Sequence, residues 1–346
     1  MLPIRLGVIG CGLATKNLHW PALRQMPDKF QIVAVCNRTP EKAREFAQMV
    51  GISAGSISTN SIKPVEIETD YHKLLDRRDL EAMLVALPID QNASVVQDCL
   101  AAGKHVLCEK PLAHTLAEAQ QLRDFSRQAS PVLLVGENYY YRDDFNDAKK
   151  LIAAGNIGEV FLISYEATGE VNHTKSYGAT PWRQVPAHRG GFVSDAGVHH
   201  AAVLRLLGGE IRAVQAFTKN IHPVIRAEDN IVATLEFANG AIGQYAATYT
   251  AKAPQHLTRV RLFGSAGSLE VTHGELSWFN PNLDATPQVR RYPNFDNGFY
   301  NEWVAFYDAV RHKKAFPSTA EQCFTDQQVV WAMLDSAAQR EVVTLK

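Results

Sequence analysis

The apolar positions of this chain change period near its middle. Up to residue 136 they gather in short, nearly continuous runs, at 4–9, 31–36, 80–87, 105–108 and 131–136, with helically spaced segments between them. Runs of this kind predict strands buried on both faces, as in a parallel sheet. Helices are predicted at 41–49 after Pro40, at 94–102 closed by Gly103, and at 115–129. The alternation predicts a doubly wound parallel sheet, with ligands at the carboxyl ends of its strands.

Beyond residue 136, period two takes over. The stretches 160–167, 214–219, 230–237, 241–250, 258–263 and 268–271 read as consecutive strands, which predicts a mostly antiparallel sheet. Ala233, Leu235 and Phe237 alternate with Thr234 and Glu236, so one face is left for water or another subunit. Asn239-Gly240 predicts a tight hairpin, because both residues tolerate the positive φ of a primed turn. A helix is expected from near Ser194 to Gly208-Gly209, and two more close the chain. Phe299, Trp303, Phe306 and Val310 share one helical face, and Ser318 with Glu321 resembles a capping box.

The first two apolar runs flank Gly10-Cys11-Gly12-Leu13-Ala14. Gly10 permits a tight turn, and Gly12 has no Cβ to keep a pyrophosphate away from the following helix N-terminus. The third position of the pattern is Thr15 instead of Gly or Ala, at some cost in closeness of helix and sheet. Strand, glycine turn, helix and strand together outline a Rossmann dinucleotide site. After the second strand come Asn37, Arg38 and Thr39, where a carboxylate would bind ribose hydroxyls and repel a 2′-phosphate. Arg38 can fork onto a phosphate, so NADP(H) is favoured, with NAD(H) accepted beside Asn37 as the alternative. The fold class is therefore α/β. A dinucleotide-binding Rossmann domain is expected over 1–136, and a C-terminal α/β domain with a mostly antiparallel, open-faced sheet over 137–346.

With 346 residues, 46% hydrophobic and 21% charged, the chain can form about two domains with ample core. A net charge of -1 argues against a nucleic-acid or anionic-membrane binder, and no apolar run approaches the roughly 20 residues of a membrane span. The first strand begins almost at the N-terminus, so a cytoplasmic location without a leader is expected. Cys11, Cys36, Cys99, Cys108 and Cys323 have neither zinc nor disulfide spacing, and Cys36 and Cys108 read as core fillers.

Three residues can carry chemistry. Lys110 follows a strand, at the crevice edge where a nicotinamide belongs. Asp195 and His199 are four apart, hence on one helical face. In the oxidation of an alcohol by hydride transfer, a neutral imidazole can take the hydroxyl proton, and a helix N-terminus would favour that neutral form. An ammonium stabilises the developing alkoxide, and a carboxylate orients the substrate or holds the lysine charged. His200 reads as the structural member of its pair. His173 and His188 lie in loop-like sequence with no metal-ligand spacing. Trp182-Arg183 is either a packed aromatic beside a surface cation or an anion clamp.

The motifs GVIGCGLA, HWPAL (His19 to Leu23), CEKPLA (Cys108 to Ala113), GENYYYR (Gly136 to Arg142), GNIGEV, WR and GGFVSDAGVHH resemble, in order, those of the Gfo/Idh/MocA oxidoreductases. The resemblance implies an N-terminal Rossmann domain and a C-terminal domain whose open sheet makes a homodimer or homotetramer interface. It implies that Lys110 lies near nicotinamide and substrate, and that Asp195 and His199 are the acid and histidine of a DxGxH motif, His199 exchanging the proton. Leu87 and Pro88 match the loop beside the cofactor riboses, with Asn92 after them also expected at the cofactor, and Trp182 and Arg183 match a cofactor-contacting pair. Glu109 and Tyr139 complete the expected cofactor and substrate contacts. Asn92 replaces a common histidine, and Ala202 stands where a second aspartate often follows. The activity implied is interconversion of a secondary alcohol and a ketone on a sugar, inositol or related polyol. The alternatives are a glycosidase of the same fold that uses bound NAD, and a non-enzymatic dinucleotide sensor.

Overall fold

The buried runs of the N-terminal part pair as a wholly parallel six-stranded sheet in the computed structural model, which describes residues 2–55, 64–252, 257–293 and 295–345. Its strands are β1 (Ile4–Ile9), β2 (Phe30–Cys36), β3 (Glu66–Glu68), β4 (Ala82–Val85), β5 (His105–Glu109) and β6 (Leu133–Gly136), ordered β3-β2-β1-β4-β5-β6. The order reverses between β1 and β4, the switch point where such sheets bind ligands. The edge strand β3 was not expected, because Glu66-Ile67-Glu68 is short and two of its three residues are charged. Helices α1 (Trp20–Leu23), α2 (Pro40–Gly55), α3 (His72–Leu75), α4 (Ile89–Ala101) and α5 (Leu116–Gln128) connect the strands. α4 begins earlier than predicted, directly after an extended Pro88 at φ -53° and ψ 146°. The Thr115 hydroxyl caps α5 by accepting from the Glu118 amide at 3.2 Å.

The second sheet has nine strands among the described residues. They are β7 (Val160–Thr168), β8 (Ile211–Lys219), β9 (Asn230–Phe237), β10 (Ile242–Thr248), β11 (Leu257–Gly264), β12 (Ser268–Thr272), β13 (Glu275–Phe279), β14 (Gln288–Arg291) and β15 (Val343–Thr344), ordered β14-β13-β12-β11-β7-β10-β9-β8-β15. All neighbours are antiparallel except β7 and β10. The Asn239-Gly240 hairpin is present, but only Gly240 takes positive φ, at 87°. The loop instead closes through bonds from Phe237 N to Ala241 O and from Gly240 N to Phe237 O, so Asn239 needs no left-handed conformation.

Helices α6 (Asp143–Ala153), α7 (Pro181–Gln184) and α8 (Gly191–Gly208) belong with this sheet. α8 covers one face so closely that a Cβ on Gly208 would stand 2.3 Å from Ile163 Cδ1 and 2.6 Å from Phe237 Cε1. On the other face Phe217, Val232 and Ile242 are more than half exposed.

The last helices are α9 (Phe299–His312) and α10 (Ala320–Gln339). A single boundary after residue 136 does not describe the chain. One compact unit comprises Met1–Gly136 with Phe299–Phe324, the other Glu137–Gly298 with Thr325–Lys346. α9 returns to the first unit because its aromatic face completes that core. Trp303 and Phe306 are fully buried, with ring centroids 5.0 and 6.3 Å from that of Phe30, and Ala309 rather than Val310 continues the buried face. The cap of α10 is Thr319, whose hydroxyl accepts from the Gln322 amide, and not Ser318; Glu321 reaches Arg127 instead.

Trp303→Ala should destabilise the chain by about 3–5 kcal/mol, since a fully buried indole leaves a cavity that the rings around Phe30 only partly refill. Urea unfolding checks this; a loss below about 1 kcal/mol would contradict the assignment of α9 to the first core.

Candidate active site

In the first unit, the glycine turn is shaped by contact. Gly10 sits at φ 98°, and a Cβ there would lie 2.2 Å from the carbonyl oxygen of Ala86. Gly12 has nothing within 4 Å of its Cβ direction, so the space above it is open. The Cys11 amide donates to Asn37 Oδ1 at 3.0 Å, while Asn37 Nδ2 donates to the Thr39 carbonyl at 3.0 Å. Asn37 thereby clips the end of β2 to the turn. Thr15 compensates for the missing third glycine: its buried hydroxyl donates to the Gly10 carbonyl at 2.5 Å. Residues Thr15–His19 form a π turn, closed by Trp20 N–H on the Thr15 carbonyl. Burial pushes the Cys11 thiol up to about 12, so it is an inert filler. Arg38 is exposed beside this turn in sequence. A backbone turn with open space at Gly12 suits the pyrophosphate of a dinucleotide, and the residues present fit that group.

The π turn delivers His19 to the Glu109-Lys110 loop. Trp303 Nε1 donates to His19 Nδ1 at 3.3 Å, which leaves Nε2–H to donate to Glu109 Oε1 at 3.0 Å. Glu109 Oε2 accepts the Lys110 amide at 3.2 Å, and Asn92 Nδ2 donates to the Glu109 carbonyl at 2.6 Å. The loop carrying Lys110 is thus held from both sides, and its Lys110-Pro111 peptide is cis. Asn92 Oδ1 is buried without a hydrogen-bond partner. Leu87 lies against the turn, with Cδ2 3.1 Å from the Cβ direction of Gly10.

In the second unit, α8 starts at Gly191, after Gly190 at φ 83°, so His199 stands beyond the second turn. A helix-terminal dipole therefore does not act on it, contrary to the expectation from sequence, because that field fades within the first turn. Asp195 receives Arg183 Nε at 2.7 Å, and the guanidinium lies 3.9 Å from the Trp182 ring and 5.2 Å from the Tyr177 ring. The pair expected to contact cofactor is thus also the clamp on Asp195. His199 Nδ1 lies 2.5 Å from Glu137 Oε1, and the imidazole stacks on Tyr139 at 4.6 Å and 19°. Behind Tyr139 stands the Arg142 guanidinium at 4.8 Å, itself buried in a two-point bond to Asp144 at 3.0 and 2.7 Å. His200 points elsewhere: it is buried, with Nδ1 2.8 Å from the Tyr245 hydroxyl. His188 is buried on the Gly191 carbonyl, and His173 lies edge-on to His222. Glu137 was not picked out from sequence, although an acid directly after the buried run 133–136 was a signal.

The family described as "Oxidoreductase family, NAD-binding Rossmann fold" matches residues 4–137, and "GFO/IDH/MocA C-terminal domain" matches residues 145–270. The dTDP-3,4-didehydro-2,6-dideoxy-α-D-glucose 3-reductase of Streptomyces violaceoruber is 30% identical over 288 residues, covering 83% of this chain and 77% of that protein. The chain belongs to the Gfo/Idh/MocA oxidoreductases. This Gfo/Idh/MocA protein is also 28% identical to an uncharacterised protein of Saccharomyces cerevisiae, over 98% of this chain and 97% of that one. A crystal structure of an oxidoreductase from Thermotoga maritima shares its fold with a TM-score of 0.88 and 29% identity, covering 99% and 98% of the two chains. The Gfo/Idh/MocA protein is a dehydrogenase or reductase with an NAD-binding Rossmann fold. Among the described residues, no helix is long and apolar enough to cross a membrane.

Gly12→Val in this Gfo/Idh/MocA enzyme should leave the unfolding midpoint unchanged, because the added side chain enters open space. Fluorescence titration should show NADPH and NADH both weakened at least about tenfold, since the same space has to admit the phosphates. Unchanged affinity for both would remove Gly12 from the cofactor site.

Proposed function

We propose that the enzyme interconverts a secondary alcohol and a ketone on a sugar, inositol or related polyol, with NADP(H) preferred over NAD(H). The observation that carries this reading is the buried carboxylate beside the imidazole of His199, an arrangement suited to moving one proton. The similarity to the dTDP-3,4-didehydro-2,6-dideoxy-α-D-glucose 3-reductase supports the substrate class. When bound, the nicotinamide cofactor supplies or accepts the hydride. His199 takes the hydroxyl proton in oxidation and returns it in reduction. Lys110 places its ammonium on the reacting oxygen as negative charge builds there. Asp195, held by Arg183, accepts a hydrogen bond from a neighbouring substrate hydroxyl, and Tyr139 flanks the reacting ring.

The cofactor preference is supported by what stands after β2. Asn37 spends its amide on two backbone groups and brings no negative charge, while Arg38 is exposed and able to fork onto a 2′-phosphate. The exposed Phe217, Val232 and Ile242 support a homodimer or homotetramer through the uncovered sheet face.

Two measurements test these points. Titration with each cofactor should give NADPH at least about tenfold tighter than NADH, a margin abolished by Arg38→Ala; a preference for NADH in the parent would reverse the assignment. In a screen of cyclitols, aldoses and sugar alcohols followed by nicotinamide absorbance, Lys110→Ala should lower turnover by about 100-fold or more, with cofactor affinity kept within about twofold. Full activity of that variant would refute the mechanism.

A further inference from the structure

We propose that Glu137 is the positioning residue of His199: it fixes the imidazole with its proton on Nδ1, so that Nε2 is the atom that exchanges the substrate proton. The inference deepens the dehydrogenase reading and rests on it. The Nδ1 to Oε1 separation is 2.5 Å, and the Glu137 side chain is 2% exposed against 16% for His199. A carboxylate so enclosed accepts a hydrogen bond in a fixed direction. It therefore selects the tautomer that has Nδ1–H, which leaves the lone pair on Nε2. The Tyr139 ring, 4.6 Å away and 19° from parallel, prevents the imidazole from rotating out of this bond.

In alcohol oxidation the substrate O–H bond breaks and its proton moves to Nε2, while the C–H bond breaks and its electron pair leaves with the hydride to the nicotinamide. The carbonyl forms from the electrons of the O–H bond. His199 is then an imidazolium, and Glu137 carries the opposite charge against it. No proton has to reach Glu137.

Three ion pairs of the second unit stand near this couple. They are Arg183 with Asp195, Arg142 with Asp144 across the Tyr139 ring, and Arg205 with Asp326. Asp326 is pushed up to about 7, first by burial and further by the Glu137 charge, against the pull of Arg205. The phenol of Tyr165, raised by burial, and that of Tyr139 complete the surroundings, with His200 turned onto Tyr245. The Glu137 carboxylate stands directly on the His199 imidazole, so loss of its charge is expected to move that titration.

Glu137→Gln tests the proposal in the full chain, because the amide can still accept from Nδ1–H but carries no charge. With 15N-labelled histidine, proton–nitrogen correlation spectra read the tautomer and titration of each imidazole, and His199→Gln identifies the resonance. The parent should show Nδ1–H below full titration, and Glu137→Gln should move the His199 midpoint to lower pH by about one unit or more, with unfolding and NADPH binding unchanged. For any polyol that the parent oxidises, the acid limb of kcat should move down by the same amount, and Glu137→Asp should restore part of it. A His199 tautomer and midpoint identical in parent and Glu137→Gln overturn the proposal, whether or not turnover is found. If Glu137→Gln fails to fold, Glu137→Asp decides: an unchanged His199 midpoint and pH profile there also overturn it. A parent that oxidises no polyol, yet shows the midpoint move, upholds the pairing and refutes the dehydrogenase reading instead.

Discussion

At Gly10 the backbone has room for a hydrogen atom and for nothing larger. Its amide donates to Cys36 at the end of β2, and the Ala86 carbonyl beyond β4 occupies the place of a side chain. Three strand ends are thus drawn together at the one place where the sheet order reverses. The turn that follows presents backbone amides and the open space at Gly12 to an anion. Everything else in the first unit serves that approach: Asn37 clips the turn from β2, Thr15 ties its carbonyl, and His19 carries the restraint on to Glu109 and the loop of Lys110.

The second unit solves a different problem, that of holding charges in a low-dielectric interior. Arg142 and Asp144 are only 1% and 0% exposed, and a pair so enclosed adds little net stability compared with apolar groups of the same shape. What it adds is direction. The guanidinium is pinned, the Tyr139 ring lies on it, and the imidazole of His199 lies on the ring. A chain of planar groups fixes the orientation of the one group that has to exchange a proton.

The parallel sheet was legible because its strands are buried on both faces and read as continuous apolar runs. β14 escaped because Gln288–Arg291 has one apolar residue among four, and β13 because its five residues, Glu275–Phe279, are too short a run to show a clear period. Asp195 and His199 could be placed on one helix face from spacing alone. Their partners could not, because Arg183 reaches Asp195 from a separate short helix and Glu137 reaches His199 from 62 residues away in sequence, and no local period records either contact. The beginning of α8 was misjudged for a related reason. Gly190 and Gly191 look like a loop, yet Gly190 supplies the left-handed entry that lets the helix start there. The return of α9 to the first unit was hidden as well, since an amphipathic face announces that it is buried but not against what.

The π turn at Thr15–His19 makes chain length itself a structural variable. One residue more than an α turn requires is wound into it. Removing a single residue between Thr15 and His19 would let the helix relax to ordinary winding, and the side chains that follow would keep their direction around the axis, because the residue lost is the surplus one. The histidine would then still face Glu109, one residue nearer to Gly12 in the sequence. The spacing from Gly12 to His19 is therefore fixed less tightly than the identity of the histidine, whose two ring nitrogens bond Trp303 and Glu109.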